Sequence, residues 1–168
     1  MKPQDILIIL KILLWEDNQW SIDRIAKSVG LSASETHAAI KRCEKSGLYS
    51  TVTRKPVRSS LEEFIIHGLK YAFPVEPGPL ERGMLTAHSA PPLSDIIASN
   101  DELYVWPYEE GNARGIKITP LYPSVPFACK TDSELYQYLA LIDSLRIGRA
   151  RERKLAEEIF IKKLRNKS

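Results

Sequence analysis

Six basic side chains lie within a short stretch of this sequence, in two groups that phosphate chemistry could use. They are Lys41, Arg42, Lys45, Arg54, Lys55 and Arg58. Cations at such spacing can neutralise neighbouring phosphates of a nucleic acid, provided that a rigid element presents them to the groove. Such a role therefore depends on an element of that kind in the sequence around them.

A second group of residues could supply a nucleophile and its base. His88 and Ser89 are neighbours in ERGMLTAHSAPPL, and Asp95 follows closely. Neighbouring side chains of an extended chain point to opposite sides, and the chain has no G-x-S-x-G nucleophile elbow. We therefore predict no enzymatic activity. The stretch is either a strap whose hydroxyls satisfy buried backbone groups, or a small-molecule or peptide pocket marked by His67 and His88.

Metal and cofactor chemistry find little support in the residue types. Cys43 and Cys129 are too few for a disulfide framework, and with the three scattered histidines they show no metal-ligand spacing. The glycines lack the strand-to-helix context and the Lys-Ser or Lys-Thr ending of a phosphate-binding loop. We predict a reduced protein that holds no metal and no cofactor.

Length and composition are those of an ordinary globular chain of 168 residues with 43% hydrophobic residues. The most apolar run, ILIILKILLW, is too short to span a bilayer and lacks the features of a secretory signal. We expect a cytoplasmic protein with no membrane partner. Residues 1–70 and 131–168 each carry a net charge of +3, whereas residues 71–130 carry −3.

Apolar residues at helical spacing predict a first helix from about Pro3 to Asp17. A second, shorter helix follows, for which Ser21 is a typical N-cap and Gly30 is placed to end the helix. A third begins almost at once. Because the connection is so short and contains glycine, the second and third helices should cross steeply, as in a helix-turn-helix.

The third helix, residues 32–46, is capped by Ser32, with Glu35 completing an S-x-x-E capping box and Gly47 ending the helix. Its predicted inward residues are Thr36, Ala39, Ile40 and Cys43. Its predicted outward residues are Ser34, His37, Ala38, Lys41, Arg42 and Lys45. LYSTVTRKPVR follows, with a basic turn centred near Arg54-Lys55-Pro56 and Arg58 alongside, which is typical of a two-stranded wing. Three helices and a wing make a winged helix.

The rest of the chain is predicted to be partly extended and partly helical. A fourth helix runs from Leu61 to Phe73 with Ser60 as its cap. A Pro-rich extended segment follows, then a short helix at SDIIAS and a small β-hairpin made by ELYVWP and RGIKITP. Two apolar-striped helices close the chain. The predicted fold class is α+β, mostly α, with domains at 1–73, 74–130 and 131–168.

The stretch SIDRIAKSVGLSASETHAAIKRCEKSGL resembles the core of winged helix-turn-helix transcriptional regulators, including MarR-like proteins. In that family a small helix ends V-G-L-S and the recognition helix ends K-R-L-x-x-x-G-L. The resemblance covers about Ser21 to Arg58, with Cys43 in place of an inward leucine. Beyond Pro74 the family's long dimerising helices are not matched. That region is similar, more faintly, to winged-helix antitoxins of abortive-infection systems.

The sequence therefore predicts a regulator of transcription, acting as a repressor and homodimer on double-stranded DNA. Ser34, His37 and Ala38 would read base edges, and Ser32 with Ser34 would bond phosphate at the helix start. The six basic residues would contact the backbone, and the narrow apolar stripe of the last helix could form the dimer. The alternative is an antitoxin-type or other protein-interaction module whose Pro-rich middle binds a partner protein.

Overall fold

The computed structural model describes residues 1–16, 19–98 and 102–167. The chain divides into two compact units. We call Met1–Glu63 with Leu121–Tyr136 the N-terminal unit, and Phe64–Pro120 with Gln137–Ser168 the barrel unit. Helices predominate and small sheets accompany them, so the predicted α+β, mostly helical fold class is confirmed. Within the described ranges, no helix is both long and apolar enough to cross a membrane.

Three helices open the N-terminal unit: α1 (Pro3–Trp15), α2 (Ile22–Val29) and α3 (Ala33–Lys45). Local signals start and stop α2 as predicted. The Ser21 hydroxyl accepts a hydrogen bond from the Arg24 amide, and Gly30 ends the helix with a φ of 72°, in the left-handed region. The predicted end of α1 at Asp17 lies outside the described residues.

Helix α3 also follows its local signals. The Ser32 hydroxyl accepts a hydrogen bond from the Glu35 amide at 3.0 Å, and Gly47 follows the helix with a φ of 78°. The predicted inward face is confirmed, since Ile40 is half-buried and the other members are buried. These buried members are Thr36, Ala39 and Cys43.

Both thiols are buried, which predicts that they resist thiol reagents in the folded protein. Burial, reinforced by the nearby Asp5 carboxylate, raises the pKa of Cys43 to about 12. Since only the thiolate attacks a disulfide reagent, we expect almost no reaction of the native chain with Ellman's reagent and reaction of both cysteines in denaturant. Rapid titration of one thiol before unfolding would contradict this packing.

The predicted two-stranded wing is confirmed. Strand β1 (Tyr49–Ser50) pairs antiparallel with β2 (Lys55–Pro56). The predicted turn centre is wrong by about two residues, because the turn covers residues 51–54 and Lys55 already belongs to β2. Arg54 ends the turn with a φ of 57°, so the chain has already reversed before Pro56, around which the turn was predicted.

The fourth helix begins earlier and ends earlier than predicted. Helix α4 spans Arg58–His67, so the predicted cap at Ser60 is wrong. The Leu61 amide donates to the Val57 carbonyl at 2.9 Å, so the helical hydrogen bonds start directly after the wing. Gly68 then separates α4 from a short helix α5 (Leu69–Ala72), which replaces the predicted continuation to Phe73.

A distant segment completes the N-terminal unit. Before helix α6 (Val125–Lys130), the Ser124 hydroxyl donates to the Val29 carbonyl at 2.6 Å, at the end of α2. Lys11 of α1 is buried, and its Nζ lies 2.5 Å from a carboxylate oxygen of Asp132. The helix-turn-helix is thus stabilised by residues far along the chain. The domain limits 1–73, 74–130 and 131–168 stay a prediction.

The barrel unit contains a closed barrel of three strands: β3 (Leu80–Leu85), β4 (Tyr104–Pro107) and β5 (Ala113–Lys117). Strand β3 is antiparallel to both others, whereas β4 and β5 run parallel to each other. The predicted β-hairpin of ELYVWP and RGIKITP is therefore wrong. The Pro-rich segment, predicted only as extended, supplies the strand with which both of them pair.

Glycines explain why the chain does not turn back into a hairpin. Gly83 pairs with Pro107 at the end of β4 and with Ala113 at the start of β5. A Cβ on Gly83 would lie 1.8 Å from the Trp106 carbonyl oxygen, and one on Gly111 would lie 2.2 Å from the backbone of Gly83. The backbone at Gly83 approaches the backbones of Trp106 and Gly111 more closely than a Cβ atom would permit. Residues 108–112 therefore cross over β3 at this point.

The remaining described elements are short turns and two long helices, the first of which begins in the N-terminal unit. A 3₁₀ turn at Leu93–Asp95 replaces the described part of the helix predicted at SDIIAS. Helices α7 (Ser133–Ile147) and α8 (Ala150–Asn166) follow as predicted. Leu135, Tyr138, Leu139, Ile142 and Leu145 are all buried, which confirms the apolar stripe of α7.

A buried carboxylate joins α7 to the barrel. Asp143 accepts hydrogen bonds from the Thr86 hydroxyl and the Trp106 indole, each at 2.6 Å, and it pairs with Arg146 at 3.0 Å. Burial raises the pKa of the Asp143 carboxyl, against the opposing effect of Arg146 and the two donors. The Trp106 side chain is thus a packing residue with a satisfied N–H group.

Candidate nucleic-acid interface

The exposed face of α3 carries four of the predicted site residues. Ser34, His37, Lys41 and Lys45 are all exposed and follow one another three or four residues apart, the spacing of one helix face. We call these four residues the α3 stripe. Ala38 borders the stripe and is half-buried. Small and polar groups therefore lie near the start of the helix, and two lysines lie near its end.

Arg42 does not belong to this face. Its Nε and Nη2 atoms donate to both oxygens of Asp5 at 2.8–3.1 Å, and the Asp5 side chain is fully buried. The hydrogen bonds to Asp5 raise the pKa of Arg42. The predicted outward orientation of Arg42 is wrong, because the guanidinium neutralises a carboxylate of α1 that water cannot solvate.

The Arg42 guanidinium also contacts Glu35 in the first turn of α3. The Glu35 carboxylate accepts hydrogen bonds from Gln4 at 2.8 Å and from Arg42 at 3.0 Å, and both bonds lower the pKa of Glu35. The predicted capping box is therefore only half used, because the carboxylate faces α1. The Ser32 oxygen accepts the cap hydrogen bond, while Ser34 is exposed beside it.

The wing retains two of its three predicted cations. Arg54 and Lys55 are exposed, and the Arg54 guanidinium lies 5.2 Å from the centre of the Trp20 ring. Arg58 instead pairs with Glu16 at the start of α4, so its predicted place on the wing is wrong. The wing turn also exposes Val52 almost completely, at 93%.

A groove of about 280 Å³ lies between α3 and the wing. Three residues predicted from the sequence line this groove: His37, Lys41 and Arg54. Trp20 and Glu44, which no sequence pattern indicated, line it as well. The Glu44 carboxylate accepts a hydrogen bond from the Thr51 hydroxyl at 2.9 Å and so joins helix to wing. Trp20 precedes the Ser21 cap, a common place for an apolar residue, but that position alone does not reveal its contact with Arg54.

The residues of the alternative nucleophile site differ in their surroundings. The Ser89 hydroxyl oxygen accepts a hydrogen bond from the Tyr104 amide at 3.0 Å, as expected for a strap whose hydroxyls satisfy backbone groups. His88 is buried beside the Tyr104 ring, whereas Asp95 is exposed. His67 is exposed on α4. In the described ranges, no cluster of three His, Cys, Asp or Glu residues could hold a metal ion.

Comparison with known families agrees with the arrangement of the helices. Residues 6–48 match a family model described as winged helix-turn-helix DNA-binding. The match covers about a quarter of the chain and includes most of α1 and all of α2 and α3. This part of the chain is therefore similar to winged helix-turn-helix DNA-binding domains. Searches of curated proteins and of solved structures found no match.

Proposed function

We propose that this protein is a sequence-specific regulator of transcription, acting as a repressor on double-stranded DNA in the cytoplasm. The observation that carries the proposal is the α3 stripe, an exposed polar and basic face on the last helix of a DNA-binding domain. A helix of this kind fits the major groove, and the wing beside it can reach the neighbouring backbone.

The residues of the interface take different roles in this proposal. Ser34, His37 and Ala38 lie in the first half of α3 and would contact base edges, with Ser32 and Ser34 near a phosphate. Lys41 and Lys45 would hold the backbone that borders the groove. Arg54 and Lys55 would hold backbone on the wing side. Arg42 and Arg58 are left out, since buried or half-buried carboxylates already pair with them.

We further propose that the protein binds as a homodimer. A single winged helix makes few base contacts, and a twofold pair doubles them on a palindromic site. The apolar stripe of α8 leaves less apolar surface for a dimer interface than its sequence indicated. Phe160 and Leu164 are already buried, and Phe160 packs edge-on against Tyr138. Leu155 and Ile159, both half-buried, are the stripe residues left to contribute.

Fluorescence anisotropy of labelled DNA tests the function directly. The protein should bind a duplex from upstream of its own gene more tightly than a scrambled duplex, and affinity should fall steeply with salt. If neither duplex binds even at low salt, the regulator proposal fails and the protein-interaction alternative, including an antitoxin role, takes its place.

Lys41→Ala should weaken binding to every duplex and reduce the slope of log affinity against log salt by about 0.9, the value for one lost phosphate contact. Lys162→Ala, which removes an exposed lysine from α8, is the matched control and should leave the slope unchanged.

His37→Ala should instead change the ratio of affinities for the two duplexes. Equal losses on both would reduce His37 to a positioning residue.

A further inference from the structure

The barrel unit contains a cleft of about 330 Å³ to which neither the DNA-binding face nor the fold assigns a role. Its walls come from the barrel, from the 3₁₀ turn at Ala87–Ser89 and from the junction of α7 and α8. This volume is at the small end of the range for ligand sites, so the cleft fits a molecule the size of an amino acid.

One side chain of the cleft wall has a buried nitrogen atom without a hydrogen-bond partner. His88 is only 7% exposed, and its ring packs edge-on against Tyr104 with centroids 4.8 Å apart. Among the described residues, its Nε2 atom is one of two buried side-chain polar atoms that have no hydrogen-bond partner. A buried polar atom of this kind costs stability unless something bonds to it, and native proteins keep few of them.

Charges of both signs line the same cleft. Glu102 and Glu152 contribute carboxylates, and Arg149 contributes a guanidinium. Arg149 is also the N-cap of α8, and Glu152 belongs to its first turn. Since both residues line the cleft, the first turn of this long helix lies beside it. The amides of this turn and the guanidinium favour an anionic group, and the two carboxylates favour a cationic one.

We propose that this cleft binds a small zwitterion of the α-amino acid class. Its carboxylate would face Arg149 and the first turn of α8, its ammonium group would face Glu102 and Glu152, and His88 would gain the hydrogen bond that it lacks. A phosphate-rich ligand such as a nucleotide is disfavoured by the two carboxylates. The proposal concerns the barrel unit and does not depend on DNA binding.

Nuclear magnetic resonance of the imidazole groups in the full chain tests the proposal, since the chain has three histidines. The probes are the twenty L-amino acids, each titrated alone, with acetate and methylammonium as probes of one charge. We expect at least one amino acid to shift the His88 signals saturably and to leave His37 and His67 unchanged. Neither single-charge probe should reproduce this at the same concentration.

Substitutions in α8 complete the test. Arg149→Gln and Glu152→Gln should each weaken the amino acid at least tenfold, whereas Arg153→Gln and Glu158→Gln, exposed on the same helix, should not. Thermal melting would show that each variant is folded. If one of the two cleft variants does not fold, the other alone still tests the proposal. The proposal is overturned if no amino acid shifts His88, if all three histidines shift together, if acetate or methylammonium binds equally well, or if the control variants lose as much affinity.

Discussion

Arg42→Ala is expected to lower the free energy of unfolding by about 3 kcal/mol, because it leaves the buried Asp5 carboxylate without a counter-charge. Asp5 is fully buried on α1, and the Arg42 guanidinium approaches both of its oxygens at 2.8–3.1 Å. Since about a quarter of the Arg42 side chain is exposed, we place the loss at the lower end for a broken buried pair. Urea unfolding followed by far-ultraviolet circular dichroism measures this loss.

Lys45→Ala is the matched control for this prediction. It removes one positive charge from the same helix at an exposed position, and we expect a change within about 0.5 kcal/mol. In a background of Asp5→Ala the effect of Arg42→Ala should shrink, because the two residues act as a pair. A variant Arg42→Ala with full stability but a reduced salt slope for DNA binding would show instead that this guanidinium serves phosphate.

Gly83→Ala should destabilise the barrel unit by about 3 kcal/mol or more, since the added Cβ would meet backbone that cannot move aside. The Trp106 carbonyl oxygen lies 1.8 Å from the position of that Cβ. The backbone of Gly111 also lies close to Gly83, since a Cβ on Gly111 would be 2.2 Å from the Gly83 backbone. The three strands could then close only by giving up the pairing of Gly83 with Pro107 and Ala113. Hydrogen exchange of the β3 and β4 amides would report this opening directly.

Gly78→Ala provides a control at the same barrel. Its Cβ would lie 3.3 Å from the Cβ and Cδ atoms of Lys117, so the neighbouring residue would have to give by only a few tenths of an ångström. We expect a small change in unfolding free energy and intact protection of the strands. If Gly83→Ala behaved in the same way, the crossing of the chain at Gly83 would be wrong and a hairpin of β4 and β5 would again be possible.

The sequence by itself determined the features that depend on neighbouring residues. Ser21 and Ser32 cap their helices, Gly30 and Gly47 end them with positive φ, and the buried face of α3 follows its periodicity. Each of these signals acts within about four residues, through one amide, one hydroxyl or one turn of helix. The α3 stripe could be predicted for the same reason, because helical spacing alone decides which side chains share a face.

Only the tertiary structure decided the features that depend on residues far apart in the chain. Arg42 looks like a phosphate contact in α3 until Asp5, 37 positions earlier, takes up its guanidinium. The predicted hairpin is wrong because β4 and β5 run parallel and both pair with β3. The His88 cleft is lined by residues of the barrel and of the start of α8. A buried charge or an unpaired strand accepts whichever partner the fold brings close, and local periodicity carries no information about that partner.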